Sequence, residues 1–411
     1  MNNELIVLRD ARIFDGASAE IIDGGSVVIE GDRIREVAHS TVKMSNARSI
    51  DCAGRFLMPG LIDAHFHAYS PSFDVATSIR MPATLMAQHA RHIVEGALLR
   101  GFTTVRDAGG GDFGLWAAIE QGLVRGPRFF YSGRAITQTG GHGDMRPADT
   151  VEPCRCGSDQ TMTCIADGAD AVRQAAREEL RKGATQVKIF VSGGIASPTD
   201  PIWMPQFSDA EIRAAVEEAQ RRRTYVMAHC HTDDGARRCA ELGVRSIEHG
   251  TDISAQTARL LAEKQVFVVP TLIVMDVLRR HGDHLALPPA GREKLRGVYE
   301  RMAESIKNCV EAGVRLGLGA DLLDSRFHPL QGWELGMRGE ISAPLDVLRS
   351  ATSVNAELLQ MPGLLGCIKP GAYADLLLVT GDPMRDLTLF RDPRNLQLIV
   401  KAGEIVSDQL H

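Results

Sequence analysis

The chain has 411 residues with 46 Lys+Arg against 52 Asp+Glu, a formal net charge of −6 that excludes a basic nucleic-acid binder. Hydrophobic residues make up 44% and charged residues 24%, which supports a large core and excludes disorder and collagen-like repeats. No apolar run approaches the roughly 18 residues that cross a bilayer, so no membrane partner is expected.

The polar start MNNELIVLRDAR lacks the charged and then apolar segments of a secretory leader, and the eight Cys include several in apolar segments such as VMAHC. Reduced thiols and a cytoplasmic location are the expectation. Residues 5–51 show short apolar alternations broken by Gly and Asp (LIVLRDARIFDG, GGSVVIEGDRIREVA, ARSIDCAG), a pattern that predicts a small antiparallel sheet.

After Phe56 the texture changes to apolar runs that end in polar residues, each followed by a helix-like stretch. The runs are LMPGLIDAHFH, FTTVRDAGG, RFFYSG, QVKIFVSGG, YVMAHCH, SIEHG, VFVVPT and RLGLGAD. Eight strands alternating with helices predict an α/β fold, a (β/α)8 TIM-like barrel over residues 57–356. Ser208, with Glu211 three residues on, has the spacing of a capping box at a helix start. Residues 137–166, rich in Gly, Pro, Asp and Cys, fit no barrel element and are expected to form a loop over the active face. Beyond residue 357 the chain returns to strands (YADLLLVTGDP, LQLIVKAGEIV), which predicts one discontinuous β-sandwich domain from residues 1–56 and 357–411.

His65 and His67 stand two apart in GLIDAHFH, so on a strand both imidazoles face the same side and can reach one point. An HxH pair means little by itself. His229 in VMAHC, His249 in SIEHG and Asp321 in LGLGAD add weight, because they stand where barrel strands end and catalytic residues converge. Lys188 lies inside the apolar run QVKIFVSGG, where an unpaired ammonium is costly. It is either paired with a carboxylate or has lost its proton and reacted with carbon dioxide to give an anionic carbamate. Histidines and carboxylates without Cys at these positions suit zinc or a similar divalent metal.

The strings PGLIDAHFH, GFTTVRDAGG, QTGGHGD, VKIFVSGG, AHCH, SIEHGT, LGLGAD and KPGAYADLLLV resemble the metal-dependent amidohydrolase superfamily over nearly the whole chain. The resemblance is strongest to the branch that holds prolidase-like dipeptidases, carboxypeptidase-like enzymes acting on Xaa-Arg and Xaa-Lys, and relatives of imidazolonepropionase. It implies two divalent metal ions, with His65, His67 and Asp321 on one, His229 and His249 on the other, and carboxylated Lys188 bridging them. Two such ions lower the pKa of a shared water toward about 7 and polarise a carbonyl. Asp321 would then take the water's proton and deliver it to the leaving nitrogen.

His142 in TGGHGD is the candidate for steadying the developing oxyanion; otherwise it is a loop histidine satisfied by water or backbone. His231 shares the register of His229 and is read as a substrate contact, or else as a group that orients a ligand; members of the branch vary here and some carry tyrosine, so strict proline specificity does not follow. Arg106 and Asp107 are expected to form a structural salt bridge or loop clamp. Cys154, Cys156 and Cys164 are read as packed thiols rather than a structural zinc site, and Cys230 as an apolar filler facing away from the mouth. The expected activity is hydrolysis of an amide or peptide bond in dipeptides or N-acyl amino acids with a free carboxylate, ochratoxin-type amides included. Hydrolysis of a cyclic amide or deamination of a ring is the alternative, and a non-catalytic interaction protein is a remoter one. A small-molecule substrate and a homo-oligomer complete the expectation from resemblance.

Overall fold

The computed structural model describes residues 5–146, 162–285, 287 and 289–410. Strands buried on both faces belong to parallel sheets covered by helices, and six strands here carry that signature. Leu61–Phe66, Phe102–Asp107, Val187–Phe190, Val226–Cys230, Ser246–His249 and Phe267–Val269 are buried at every residue. The first two join Arg128–Tyr131 in a three-stranded parallel sheet. The others lie in a seven-stranded sheet that runs from Thr163–Ile165 through Ala135–Thr137 to Arg315–Leu316. Backbone hydrogen bonds of residues in or beside the strands join the two sheets on two sides. Thr185 N donates to Tyr131 O at 2.8 Å, while Ala64 N donates to Leu318 O and Asp321 N to His65 O, both at 2.8 Å.

Helices alternate with these strands and bury their apolar stripes against them. Val172, Ala176 and Leu180 of Ala169–Arg181 and Ile212 and Val216 of Asp209–Arg221 share one core with Val187, Ile189 and Val226. The second helix starts at the expected capping box, with Ser208 accepting from Glu211 N and the Glu211 side chain accepting from Ser208 N. Among the described residues no helix is long and apolar enough to cross a membrane.

The segments before and after this region meet in one eight-stranded sheet, in which Leu376–Val379 pairs antiparallel with Phe56–Pro59. The sheet is not wholly antiparallel: Ala47–Asp51 runs parallel to Leu5–Phe14, a pairing no hairpin turn can make. The chain leaves this sheet at Gly60, where a Cβ would lie 2.1 Å from Thr103 Oγ1, so only glycine passes there.

One expectation is corrected in part. Residues 137–166 are not wholly irregular, because Thr163–Ile165 returns to the sheet edge and pairs parallel with Ala135–Thr137. Three residues are too short to carry a periodic signal. Cys164 lies on this strand, while Cys154 and Cys156 lie outside the described residues.

Candidate metal centre

Strand ends bring the predicted ligands together. His65 and His67 come from Leu61–Phe66 and the residue after it, Lys188 from Val187–Phe190, His229 from Val226–Cys230, and His249 closes Ser246–His249. Asp321 follows the last strand of the seven-stranded sheet. Asp321 Oδ1 lies 3.3 Å from His65 Nε2 and 3.1 Å from His67 Nε2, and its Oδ2 lies 3.8 Å from His249 Nδ1. His65, His67 and Asp321 each offer a ligand atom, all within 4.8 Å of one another. His249 and Asp321 both hold left-handed backbone, at φ 72° and 52°, a conformation that costs energy and concentrates at functional sites.

The far side of each ring decides what its near side can do. His65 Nδ1 meets Glu248 Oε2 at 2.8 Å, and Glu248 Oε1 accepts from Arg106 at 2.9 Å. Burial alone would push the Glu248 carboxyl up, but the Arg106 guanidinium and the His65 contact bring it down to about 2. An ionised carboxylate only accepts, so His65 carries its proton on Nδ1. His67 Nδ1 meets the Gly109 carbonyl oxygen at 3.2 Å, which gives the same result. Both Nε2 atoms face the Asp321 carboxylate, which, against the effect of burial, holds the His65 imidazole above the usual histidine pKa; a shared cation in that space, a proton or a metal, neutralises the carboxylate. This donor set fits a divalent metal.

A second group of imidazoles adjoins the first. The His229 ring lies 4.7 Å from His249, 4.6 Å from His231 and 4.3 Å from His142, centroid to centroid. His229 Nε2 meets the Gly193 carbonyl at 3.3 Å, which leaves Nδ1 for a ligand, while His249 Nδ1 meets Thr271 Oγ1 at 2.8 Å, which leaves Nε2. Burial and the neighbouring imidazoles hold both rings well below the usual histidine pKa, so both are neutral, as ligation requires. Burial, helped by Lys188 and Lys294, brings His142 down to about 3, and Ser197 Oγ holds its Nδ1 at 2.7 Å. His231 Nδ1 meets Thr251 Oγ1 at 2.9 Å, and its ring stacks 5.0 Å from His249. Burial lowers Lys188 to about 8, which raises the share of neutral amine, the form that adds to carbon dioxide.

The eight residues read from sequence as ligands or substrate contacts lie in one neighbourhood: His65, His67, His142, His229, His231, His249 and Asp321 through the contacts above, and Lys188 through its charge interaction with Asp321. The expected Arg106–Asp107 bridge does not form. Neighbours on a strand face opposite sides, so Arg106 turns inward to Glu248 and the Ala64 carbonyl. Asp107 clamps the following loop, accepting from Ala68, Gly109 and Gly111 N. Cys230 is fully buried in the core shared with Ala236 and Ile253, away from the mouth. Sequence reasoning passed over Glu248, Asp63, Thr271 and Ser197. Asp63 accepts from His65 N at 2.9 Å and Ala320 N at 3.2 Å, tying the strand of the histidines to the segment of Asp321. A carboxylate inside an otherwise apolar strand was the available signal for both acids.

Imidazoles and a carboxylate gathered at the C-terminal ends of parallel strands define an α/β enzyme. Residues 56–406 match the Amidohydrolase family, and the chain belongs to that family. It is 32% identical over 370 residues to ochratoxinase of Aspergillus niger, spanning 85% of this chain and 75% of that protein. A prolidase crystallised with N-methylphosphonate-L-proline is similar at 43% identity and a TM-score of 0.95, over 98% of this chain and 100% of that one. A Xaa-Pro dipeptidase with bound methionine in its active site is similar at 27% identity and a TM-score of 0.89, with 98% and 100% covered.

Proposed function

We propose that this chain is a binuclear metal-dependent amidohydrolase that cleaves the amide bond of dipeptides or N-acyl amino acids carrying a free carboxylate. The observation that carries the reading is the convergence of His65, His67 and Asp321 within 4.8 Å beside the His229 and His249 rings. His65, His67 and Asp321 would hold one divalent ion, His229 and His249 the other, and Lys188 would bridge them as its carbamate; the donor set suits zinc. Two such ions supply a hydroxide nucleophile at neutral pH and polarise the scissile carbonyl.

The chain's own groups handle the rest. Asp321 receives a proton on a carboxylate oxygen and returns it to the leaving nitrogen, without which an amine is a poor leaving group. His142, held by Ser197, and His231, held by Thr251, contact the substrate beside His229. The ochratoxinase and prolidase likenesses support an amide between an acyl group and an amino acid, ochratoxin-type amides included.

The two hydrogen-bonded joints between the parallel sheets support a closed (β/α)8 barrel over residues 57–356, flanked by a discontinuous β-sandwich from 1–56 and 357–411. A cytoplasmic homo-oligomer remains part of the reading.

The test is amino-acid release from a library of dipeptides and N-acyl amino acids by protein loaded with zinc and bicarbonate, beside a chelator-treated control. Metal-dependent release of particular C-terminal residues is expected. No release by protein that demonstrably carries two zinc ions would overturn the substrate class and turn the search to cyclic amides and ring deamination.

A further inference from the structure

The interior of the parallel sheets holds a buried charged pair that no step of the proposed reaction uses. Arg106 and Glu248 are both 0% exposed at their side chains and pair at 2.9 Å. Breaking such a pair leaves an uncompensated charge, yet an apolar replacement of both would serve packing as well or better. Its retention therefore asks for a role beyond stability. The bonding supplies one. Arg106 Nε donates to the Ala64 carbonyl at 2.6 Å, and both of its terminal nitrogens reach Ser246 Oγ at 3.2 Å. Ser246 in turn donates to Glu248 Oε1. One carboxylate oxygen is thus consumed in fixing the side chain, and the other, Oε2, is left for a single partner, His65 Nδ1 at 2.8 Å.

We infer that Glu248, held by Arg106 and Ser246, is the positioning residue that fixes the His65 ring with Nδ1 against its Oε2 and Nε2 toward Asp321, and so sets the metal affinity of that position. The inference rests on the binuclear reading above. The asymmetry of the site makes it specific. The rings on the other side are held by neutral partners, Thr271 for His249 and the Gly193 carbonyl for His229, so of these ligating rings it is His65 that Glu248 holds directly. A carboxylate behind a ligating imidazole also raises its basicity, and loss of such a partner typically costs about 10–100-fold in metal affinity.

The experiment is equilibrium dialysis of the full chain against chelator-buffered zinc, with bicarbonate present and bound zinc counted by atomic emission. Wild-type protein is compared with Glu248→Gln and Glu248→Asp, and His67→Gln identifies which binding step belongs to the His65 position. Both Glu248 variants are expected to weaken that step by about 10–100-fold and to leave the other within error, with the metal-free melting temperature of Glu248→Asp close to wild type. Glu248→Asp keeps the charge opposite Arg106 while drawing the carboxylate back from His65, so it decides the matter even where Glu248→Gln fails to fold. A folded variant with both affinities unchanged, or with both steps weakened alike, overturns the inference. Fewer than two zinc ions on wild-type protein would defeat the binuclear reading itself, a distinct outcome.

Discussion

Replacing Asp321 by Asn separates proton transfer from metal binding more cleanly than any other change in the site. Asp321 sits at φ 52°, and Asn is among the few residues that tolerate left-handed backbone, so the backbone bond from its N to His65 O at 2.8 Å should survive. The amide oxygen can take the place of Oδ1 opposite His65 and His67 Nε2, at 3.3 and 3.1 Å in the native chain. The amide cannot accept a proton at neutral pH. A positioned general acid–base group contributes about 10²–10⁴-fold, or about 2.7–5.4 kcal/mol of barrier at 1.36 kcal/mol per tenfold. With zinc and bicarbonate supplied, Asp321→Asn should hold about two zinc ions per chain while kcat for amino-acid release falls by that factor. Near-native turnover would refute the proton-transfer role. Loss of zinc in step with activity would refute it too, by moving the effect to ligation.

Three further changes probe the lysine bridge, the His142 contact and the helix cap. Lys188→Ala should lose at least one zinc ion and all dependence on bicarbonate; an unchanged stoichiometry of two, measured by atomic emission, would remove the bridge. Gly194→Ala places a Cβ 2.1 Å from His142 Cε1, so the imidazole must move; kcat should drop with zinc content intact, and a wild-type kcat would mean that His142 does not touch the substrate. Ser208→Ala removes the capping box of Asp209–Arg221 and should cost about 0.5–2 kcal/mol in urea unfolding while leaving the specific activity of folded protein unchanged. Equal stability would show that the box adds nothing there.

The parallel strands were legible because burial on both faces leaves an apolar run, and the ligands because each run ends in a polar residue. Thr163–Ile165 escaped for want of length, and the groups behind the ligands because they pair across the chain: His65 and Glu248 are 183 residues apart. A charge inside an apolar strand needs a partner, and Arg106 in FTTVRD, Lys188 in QVKIF and Glu248 in SIEH are such charges, as is Asp63 in LIDAHF. Asp107 could not serve Arg106, since neighbours on a strand point to opposite faces. Glu248 is a strand-interior anion that can serve Arg106 from across the sheet, and its contact with Arg106 at 2.9 Å fulfils that requirement. Glu248 is hydrogen-bonded to Arg106 and His65. Burial outweighs the pull of Glu248 and Asp321 on Lys188 and brings it down to about 8, which favours the neutral amine that carbamate formation consumes.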